Sequence, residues 1–298
     1  LNGANGFRID GNAINDDSGW SVASAGDVNG DGFADFIISA VGADPNGLSN
    51  AGSSYVVFGS ASGLPQNFGL AALNGTNGFR IDGAAADDQS GWSVASAGDV
   101  NGDGFADLFV GAYGADPGGQ LNAGSGYVIF GKASGWTPTL ALSTLNGTNG
   151  FRLDGLALND NAGASVASAG DINGDGITDL IIGGPGAIGG AGSSYVVFGK
   201  ASGWTSTLAL SSLNGVNGFR IDGVTGGDGS GRSVSSAGDV NGDGIADLII
   251  GASGADPGGA GGGGGRGVCV GATAGGGARV EGRARSGSGG CALVGGWA

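Results

Sequence analysis

The chain has 298 residues and a formal net charge of −15, with 73 glycines, no histidine and no methionine. It is long enough to bury a large core, and its glycines follow no Gly-X-Y period, which excludes collagen. The acidic charge argues against nucleic-acid binding, because phosphates need basic partners. The sequence holds no 18-residue apolar run, so we expect no membrane insertion.

The same segments return along the chain at a long, fixed period. The run GDVNGDGFADFIISA occupies 26–40, and close copies begin at Gly98, Gly170 and Gly238. The steps between copies are 72, 72 and 68 residues, and the runs GFRID and GSSYVVFG keep the same spacing. A fixed long period indicates a repeat architecture. We divide the chain into repeats at 1–72, 73–144, 145–212 and from 213 to 258 onward.

Each repeat contains four strand candidates, described here in chain order for the second copy. SVASAGDV at 93–100 alternates small and apolar residues, and ADLFVGA at 106–112 is a short apolar run. GYVIFG at 126–131 is β-branched and aromatic, and GFRLDG at 150–155 is short and alternating. The turns NGDG, GADPGG and LNGTNG separate them. Four short strands in about 70 residues predict an all-β chain of β-propeller blades, with a stacked β-solenoid as the alternative.

The first strand candidate of the chain, at 6–10, matches the fourth strand of each repeat. The number of outer-strand candidates is compatible with two arrangements of the blades. The four blades close into a ring when the first strand pairs with the last blade, or they form an open arc of a larger propeller. We expect the open arc.

The composition changes after residue 258. Residues 259–298 are rich in glycine, lack aspartate, and hold both cysteines, Cys269 and Cys291. One interpretation is a frameshift near residue 260. The other is a degenerate end of the fourth blade, in which RGVCVG at 266–271 is the third strand. In neither case do we expect a designed disulfide.

The turn between the first two strands of each repeat carries closely spaced oxygen donors. In the first copy Asp27, Asn29, Asp31 and Asp35 supply side chains, and Phe33 supplies a main-chain carbonyl. Hard oxygen donors on a tight loop suit calcium, which accepts 6–8 oxygens, whereas zinc prefers histidine or thiolate and magnesium keeps its waters. We therefore predict up to four calcium sites. The predicted ligands are Asp27, Asn29, Asp31, Phe33 and Asp35; Asp99, Asn101, Asp103, Phe105 and Asp107; Asp171, Asn173, Asp175, Ile177 and Asp179; and Asp239, Asn241, Asp243, Ile245 and Asp247.

These loops differ from the EF-hand. An EF-hand places a glutamate at loop position 12, but that position holds Ile38, Val110, Ile182 and Ile250. All four are apolar and belong to the following strand candidate, which also excludes a dockerin, because its loop leads into a helix. The alternative without metal is a set of hairpin turns with solvated aspartates.

The order of a GW pair, D-x-N-x-D-G-x-x-D, LIIGA and ADP resembles the FG-GAP repeat of the integrin α-subunit propeller. The resemblance is best at 19–45 and 91–117 and covers about 1–258. It is most similar to bacterial secreted or surface members of the family. It implies a propeller, usually of seven blades, with calcium loops on its lower rim. It also implies adhesion to, or recognition of, a protein or glycan at the cell surface or outside the cell.

The later copies depart from the family pattern. The aromatic residue of the GW pair is present as Trp20 and Trp92, but Ala164 and Arg232 replace it. If this aromatic residue packs between blades, the later interfaces should be looser.

No catalytic site is predicted, because the commonest general base, histidine, is missing. The acid pairs Asp16–Asp17 and Asp87–Asp88 do not recur as pairs, and we interpret them as solvated turn residues. The arginine and aspartate of each GFRID run are interpreted as local ion pairs. We therefore expect a non-enzymatic, calcium-binding adhesion or recognition module. The alternatives are a structural spacer of a large surface protein and an accessory domain of a secreted enzyme.

Overall fold

The computed structural model describes residues 5–255 and the backbone of 267–273 and 280–281. Regular structure in these residues is almost entirely extended, which confirms the all-β prediction. A four-residue α-helical turn, Ala187–Gly190, and short 3₁₀ turns are the exceptions in the described residues. The 3₁₀ turns are Pro45–Gly47, Leu70–Ala72, Pro117–Gly119, Leu142–Thr144 and Leu210–Ser212. The strands are β1 (Arg8–Asp10), β2 (Ser18–Gly26), β3 (Asp35–Ala40), β4 (Ser53–Val57), β5 (Asn67–Gly69), β6 (Gly78–Asp82), β7 (Ser93–Gly98), β8 (Asp107–Ala112), β9 (Ser125–Ile129), β10 (Thr139–Ala141), β11 (Gly150–Asp154), β12 (Ser165–Gly170), β13 (Asp179–Gly184), β14 (Ser193–Val197), β15 (Thr207–Ala209), β16 (Gly218–Asp222), β17 (Ser230–Gly238), β18 (Asp247–Ala252), β19 (Gly267–Thr273) and β20 (Val280–Glu281).

Four antiparallel sheets follow one another along the chain. The first has the order β2-β3-β4-β6, and the same order returns in β7-β8-β9-β11, β12-β13-β14-β16 and β17-β18-β19-β20. Each sheet therefore has the four antiparallel strands predicted for a propeller blade, and we call them blades one to four. This strand order confirms the prediction of β-propeller blades.

The blades are out of phase with the sequence repeats. Blade one ends with β6, which is the GFRID run of the second sequence copy. A short strand from the next blade pairs in parallel with this outer strand. Thus β10, which follows the third strand of blade two, pairs with β6 of blade one, and β15, which follows the third strand of blade three, pairs with β11 of blade two. The first strand, β1, pairs in the same way with β5. In the described residues no pairing joins β1 to blade four, so the ring-closing arrangement is not observed there.

The hydrophobic core lies between the blades. All six residues of β8, DLFVGA, are buried, because neighbouring blades cover both faces of the sheet. Between blades one and two, Ile37 and Val56 pack in one cluster with Val94, Val110 and Leu142. The short apolar runs of the sequence are thus blade strands buried on both faces.

The first strands of adjacent blades approach each other closely. The backbone N–H of Val94 donates to Ser21 Oγ at 3.2 Å, across the interface between blades one and two. Equivalent bonds join Val166 to Ser93 and Val234 to Ser165 at the next two interfaces. Small residues on these strands allow the approach.

Aromatic side chains add further contacts between blades. The rings of Trp20 and Trp92, from the two GW pairs, lie 4.7 Å apart, so this aromatic does pack between blades. After blade two's third strand, Trp136 stacks on Phe79 of blade one with ring centroids 4.2 Å apart, and Lys132 Nζ lies 4.7 Å from the Trp136 ring. Whether the interfaces with Ala164 and Arg232 are looser stays a prediction.

The backbone of β19 takes the third-strand position of blade four. It pairs with β18 so that Ile249 opposes Val270, the register that Ile37 and Val56 have in blade one. This placement agrees with the degenerate-blade interpretation of RGVCVG. The frameshift hypothesis and most of 259–298 lie outside the described residues.

Candidate metal-binding loops

The predicted metal loops connect the first two strands of every blade. The loop of blade two runs from Gly98, the end of β7, to Asp107, the start of β8. Because the blades share one topology, all four loops lie at the same end of their sheets. Each loop leads into a strand, as the apolar residues at loop position 12 predict.

Side-chain oxygens fold each loop around its own backbone. In blade two, Asp99 accepts the N–H of Asp103 on Oδ1 at 3.0 Å and the N–H of Gly104 on Oδ2 at 2.8 Å. Asn101 Oδ1 accepts the N–H of Asp103, and Asp103 Oδ1 accepts the N–H of Phe105. Gly104 has φ +90°, a conformation that glycine adopts without strain. These bonds bring the first three oxygen-bearing side chains of the loop into one turn.

The last aspartate of each loop is held differently. Asp107 is completely buried, and its two oxygens accept the N–H groups of Val100 and Gly131 at 2.9 and 2.8 Å. Asp35 and Asp179 accept the corresponding pairs of N–H groups. Sequence reasoning missed the glycine donor after the third strand, although the G of each YVVFG-type run marks it. This aspartate therefore also has a structural role, in which it ties the loop to the third strand.

Burial and neighbouring charge raise the pKa of the last aspartate in the first three loops. Loss of solvent, together with the charges of Asp103 and Asp99, raises the pKa of Asp107 to about 8 against the opposing effect of its backbone donors. Desolvation likewise raises the pKa to about 6 in Asp35 and about 7 in Asp179. Each loop thus holds a buried acid close to two other carboxylates, an arrangement that a bound cation would stabilise.

The following blade holds each of the first three loops in place. The N–H of Ala106 in blade two donates to the carbonyl of Asp27 at 3.1 Å, and the N–H of Lys132 donates to that of Val28 at 3.0 Å. Thr178 makes the equivalent bond to Asp99 from blade three. These three loops are therefore part of the blade interfaces and not free surface turns.

Comparison with known proteins agrees with this repeated geometry. The FG-GAP repeat pattern matches residues 18–57, 90–129, 162–197 and 230–267, which together make up about half of the chain. The chain belongs to the FG-GAP repeat family. Each matched segment begins at the first strand of a blade or three residues before it. It ends with the last residue of the third strand or, in blade four, with the first residue of β19.

Several proteins share these FG-GAP repeats with the chain. Phosphatidylinositol-glycan-specific phospholipase D of Bos taurus is 34% identical over 166 residues, which cover 54% of this chain and 18% of that protein. Integrin alpha-V of Gallus gallus is 30% identical over 261 residues, 81% of this chain and 21% of that protein. The Homo sapiens phosphatidylinositol-glycan-specific phospholipase D is 32% identical over 191 residues, which cover 62% of this chain and 20% of that protein. The chain thus spans about a fifth of these relatives, and the bacterial origin stays a prediction.

The donors of the FG-GAP loops have the chemistry that calcium prefers. Each loop offers carboxylate, amide and carbonyl oxygens within nine residues, and no nitrogen or sulfur ligand. Within residues 5–255, however, no group of three or more Asp, Glu, His or Cys side chains is arranged to hold a metal ion. The twenty predicted ligands therefore stay a prediction.

A second polar cluster lies away from the FG-GAP loops, on the outer part of blade two. Asp88, Tyr127 and Arg152 line a cavity of about 510 Å³, and Arg152 is paired with Asp154 on the same strand. The Arg–Asp ion pairs predicted from the GFRID runs are confirmed in all four copies. Sequence reasoning missed the cluster because its members are far apart in the chain.

The interpretation of the acid pairs as solvated is wrong for one member of each pair. Asp16 and Asp88 are buried, and so are Asp160 and Asp228 at the same position in the other copies. Asp88 Oδ2 accepts the N–H of Ala85 at 3.1 Å, which closes the turn into the next blade. Asp160 and Asp228 accept the N–H groups of Ala157 and Thr225 in the same way, so this residue closes the turn in the three later copies. No helix in the part of the chain that the structure describes is long and apolar enough to cross a bilayer.

Proposed function

We propose that this chain is a calcium-binding recognition module that acts in adhesion outside the cell or at its surface and performs no catalysis. The observation that supports it most is the loop network, repeated in four blades, in which oxygen side chains are held in one turn beside a buried aspartate. The buried aspartate ties the loop to the third strand, and a bound cation would in addition offset its charge and those of its neighbours.

Calcium would neutralise the carboxylates of each loop and so join the loop to its blade. In loop two the holding residues would be Asp99, Asn101, Asp103 and Asp107, with the carbonyl of Phe105. Three carboxylates near one point repel each other, by about 1 to 4 kcal/mol for each close pair in water-like to protein-surface surroundings. A divalent cation removes this repulsion.

The affinity expected for such loops supports a location outside the cell. Calcium modules of extracellular proteins bind with a Kd of about 10⁻⁴ to 10⁻³ M. Sites this weak are filled at about 1 mM calcium and empty in cytosol. We therefore propose that the protein is secreted or held at the cell surface.

The partner would be a protein or glycan, bound by loops at the opposite end of the blades. The loops at 43–51 and 115–123 join the second and third strands of blades one and two, so the metal loops lie at the other end. They are ordered by side chains: Asn50 and Asn122 each donate their backbone N–H to an aspartate at 2.7 Å. Leu121 is exposed on one of them. Ordered, exposed loops on a rigid scaffold are typical of binding sites.

A second candidate is an accessory domain of a secreted enzyme. The phospholipase D relatives favour it, because this chain matches only 18 to 20% of their length. In that case recognition by the propeller would direct a catalytic domain elsewhere in the polypeptide. A purely structural spacer is the remaining alternative, and it would bind calcium without a partner.

Isothermal titration of the purified, EDTA-treated chain with calcium tests the metal proposal. We expect up to four sites with a Kd of about 10⁻⁴ to 10⁻³ M, and much weaker binding of magnesium. Absence of calcium binding would contradict the proposal. A glycan array and immobilised matrix proteins, probed with wild type and Leu121→Asp, then separate recognition from a spacer: a spacer binds neither, and a partner bound through this loop is lost in the variant.

A further inference from the structure

The cavity lined by Asp88, Tyr127 and Arg152 lies between blades one and two. Its volume of about 510 Å³ is within the range of about 300 to 1,000 Å³ that small-molecule sites occupy. One wall is the connection 84–88, which leads from blade one into blade two, and the loop 115–118 and the outer strands of blade two form the others. The cavity is thus enclosed by neighbouring blades, at the end opposite the metal loops.

A small side chain on the connecting turn makes room for this cavity. Ala84 packs against the core cluster between blades one and two that contains Tyr127. At the same position of the next copy the chain has Leu156, which packs against the corresponding cluster between blades two and three, around Tyr195. The leucine side chain therefore takes up space that the alanine leaves open.

A glycine in the loop opens the cavity at a second place. In blade one, Asn46 donates its side-chain N–H at 3.3 Å to Asp82, the aspartate of that blade's Arg–Asp pair. The same loop position in blade two is Gly118, which has φ +62°, close to the +56° of Asn46. The two loops thus share one backbone shape, but the amide that reaches the ion pair in blade one is missing beside Asp154. A donor group of a ligand can take its place.

The polar groups around the cavity include both acceptors and donors of hydrogen bonds. Asp88 is buried, and the charges of Asp116 and Arg152 both act on it. Arg152 Nη2 donates to Asp154 Oδ2 at 2.8 Å, so the charge of the guanidinium is balanced on its own strand. Tyr127 opposes Arg152 on the neighbouring strand and brings its hydroxyl to the same face. Carboxylates here accept, the guanidinium donates, and the hydroxyl can do both.

This mixture of groups favours a neutral ligand that carries several hydroxyls. A hydroxyl can donate to a carboxylate and accept from a guanidinium at the same time. A cation would be repelled by Arg152, and an anion would be repelled by Asp88 and Asp116. Leu145 and the alanines at 84–86 add apolar surface between the polar groups, which suits the C–H faces of a sugar ring.

We propose that this cavity binds one sugar unit of a glycan, with Asp88 and Asp154 accepting from its hydroxyl groups and Arg152 donating to them. The inference rests on the proposed recognition function and names the partner as a glycan. The loop that carries Leu121 forms part of the cavity wall, so the rest of the glycan would extend along that loop.

Saturation-transfer NMR with free glucose, galactose, mannose and N-acetylglucosamine tests the proposal, because the method detects weak binding. Two variants exchange residues between copies: Ala84→Leu introduces the leucine of the third copy, and Gly118→Asn introduces the asparagine of the first. Both residues are accommodated at the same position elsewhere in the chain, so the thermal unfolding of the variants should match that of wild type. The control is Ala157→Leu, which changes an exposed alanine on the equivalent turn of the third copy.

We expect at least one of these sugars to bind wild type and the control, and to bind both cavity variants more weakly by about tenfold or more. A wild type that binds none of the sugars, or cavity variants that bind them as well as wild type, would overturn the inference. Methylguanidinium is the cationic probe. If it binds at the cavity and the sugars do not, the site is a cation site and the inference is wrong.

The glycan array and the matrix proteins separate failure of this inference from failure of the proposed function. Partner binding that Leu121→Asp abolishes and Ala84→Leu leaves unchanged would overturn the cavity inference and leave the recognition module standing. Sugar binding that Ala84→Leu abolishes, in a chain that binds no calcium, would support the cavity inference and overturn the metal proposal.

Discussion

Replacing one loop aspartate should remove one quarter of the stabilisation that calcium provides. Asp31 lies in the loop of blade one, where its Oδ1 accepts the N–H of Phe33 at 2.9 Å and its Oδ2 accepts Asn29 Nδ2 at 3.0 Å. Asp31→Asn keeps an oxygen for the first bond, so the loop should still fold without metal. At about 1 mM calcium and a Kd of about 0.1 mM, a site stabilises the fold by roughly 1.4 kcal/mol. Four sites give about 6 kcal/mol, and the variant should lose about 1.4 of it.

Urea unfolding followed by tryptophan fluorescence measures this loss, with each protein studied in calcium and in EDTA. The matched control is Asp17→Asn, because Asp17 is exposed, lies outside the loops and has a positive φ that asparagine tolerates. Its response to calcium should equal that of wild type. Equal responses from Asp31→Asn and wild type would refute the assignment of this loop, and so would a magnesium response as large as that of calcium.

Three further predictions concern the blade interfaces and the buried cluster. Burial raises the pKa of Asp88 to about 6, above its unfolded value, so its contribution to stability is present in acid and lost as the pH rises from about 4 to about 6. Asp88→Asn should remove this loss of stability, which amounts to at most about 3 kcal/mol at pH 7. Urea unfolding of both proteins across this pH range measures it, and stabilities that fall in parallel with pH would contradict the prediction. Trp136→Ala should cost about 2 kcal/mol, because Phe79 loses its stacking partner; an unchanged urea midpoint would show that the stack contributes nothing. In dilute protein, Val94→Ala should lower the free energy of unfolding by about 2 kcal/mol and Val22→Ala by under about 0.5, because Val94 is buried and Val22 is exposed. Equal losses of stability would mean that the burial of the two valines does not differ in solution.

The repeat and its main strands could be predicted from the sequence. Short runs such as ADLFVGA and GYVIFG are strongly apolar, and glycine-rich turns bound them, so strand and turn signals agree. The NGDG turns could be placed between strands for the same reason. The Arg–Asp pairs were also predictable, because residues that are two apart on a strand have their side chains on the same face.

Other features depend on contacts between distant residues. The three-residue strands β5, β10 and β15 have too few residues to show a period, and they become strands only because a blade edge lies beside them. The burial of Asp88 follows from the packing of one blade on the next. The two backbone donors of Asp107 are likewise contributed by separate parts of the fold, and one of them, Gly131, lies 24 residues away.

The parallel edge strands have a consequence for how such a protein can be shortened or extended. Because β10 follows the third strand of blade two yet completes blade one, no cut between sequence repeats leaves the neighbouring sheets intact. A truncation after residue 72 would divide blade one from its outer strand β6, and a truncation after β9 would remove its fifth strand. Repeats can therefore be gained or lost only as whole periods, each of which begins and ends at equivalent positions of the repeat. The unit that repeats is a full period of sequence, whereas the sheets of blades one and two are each completed by strands of the following periods.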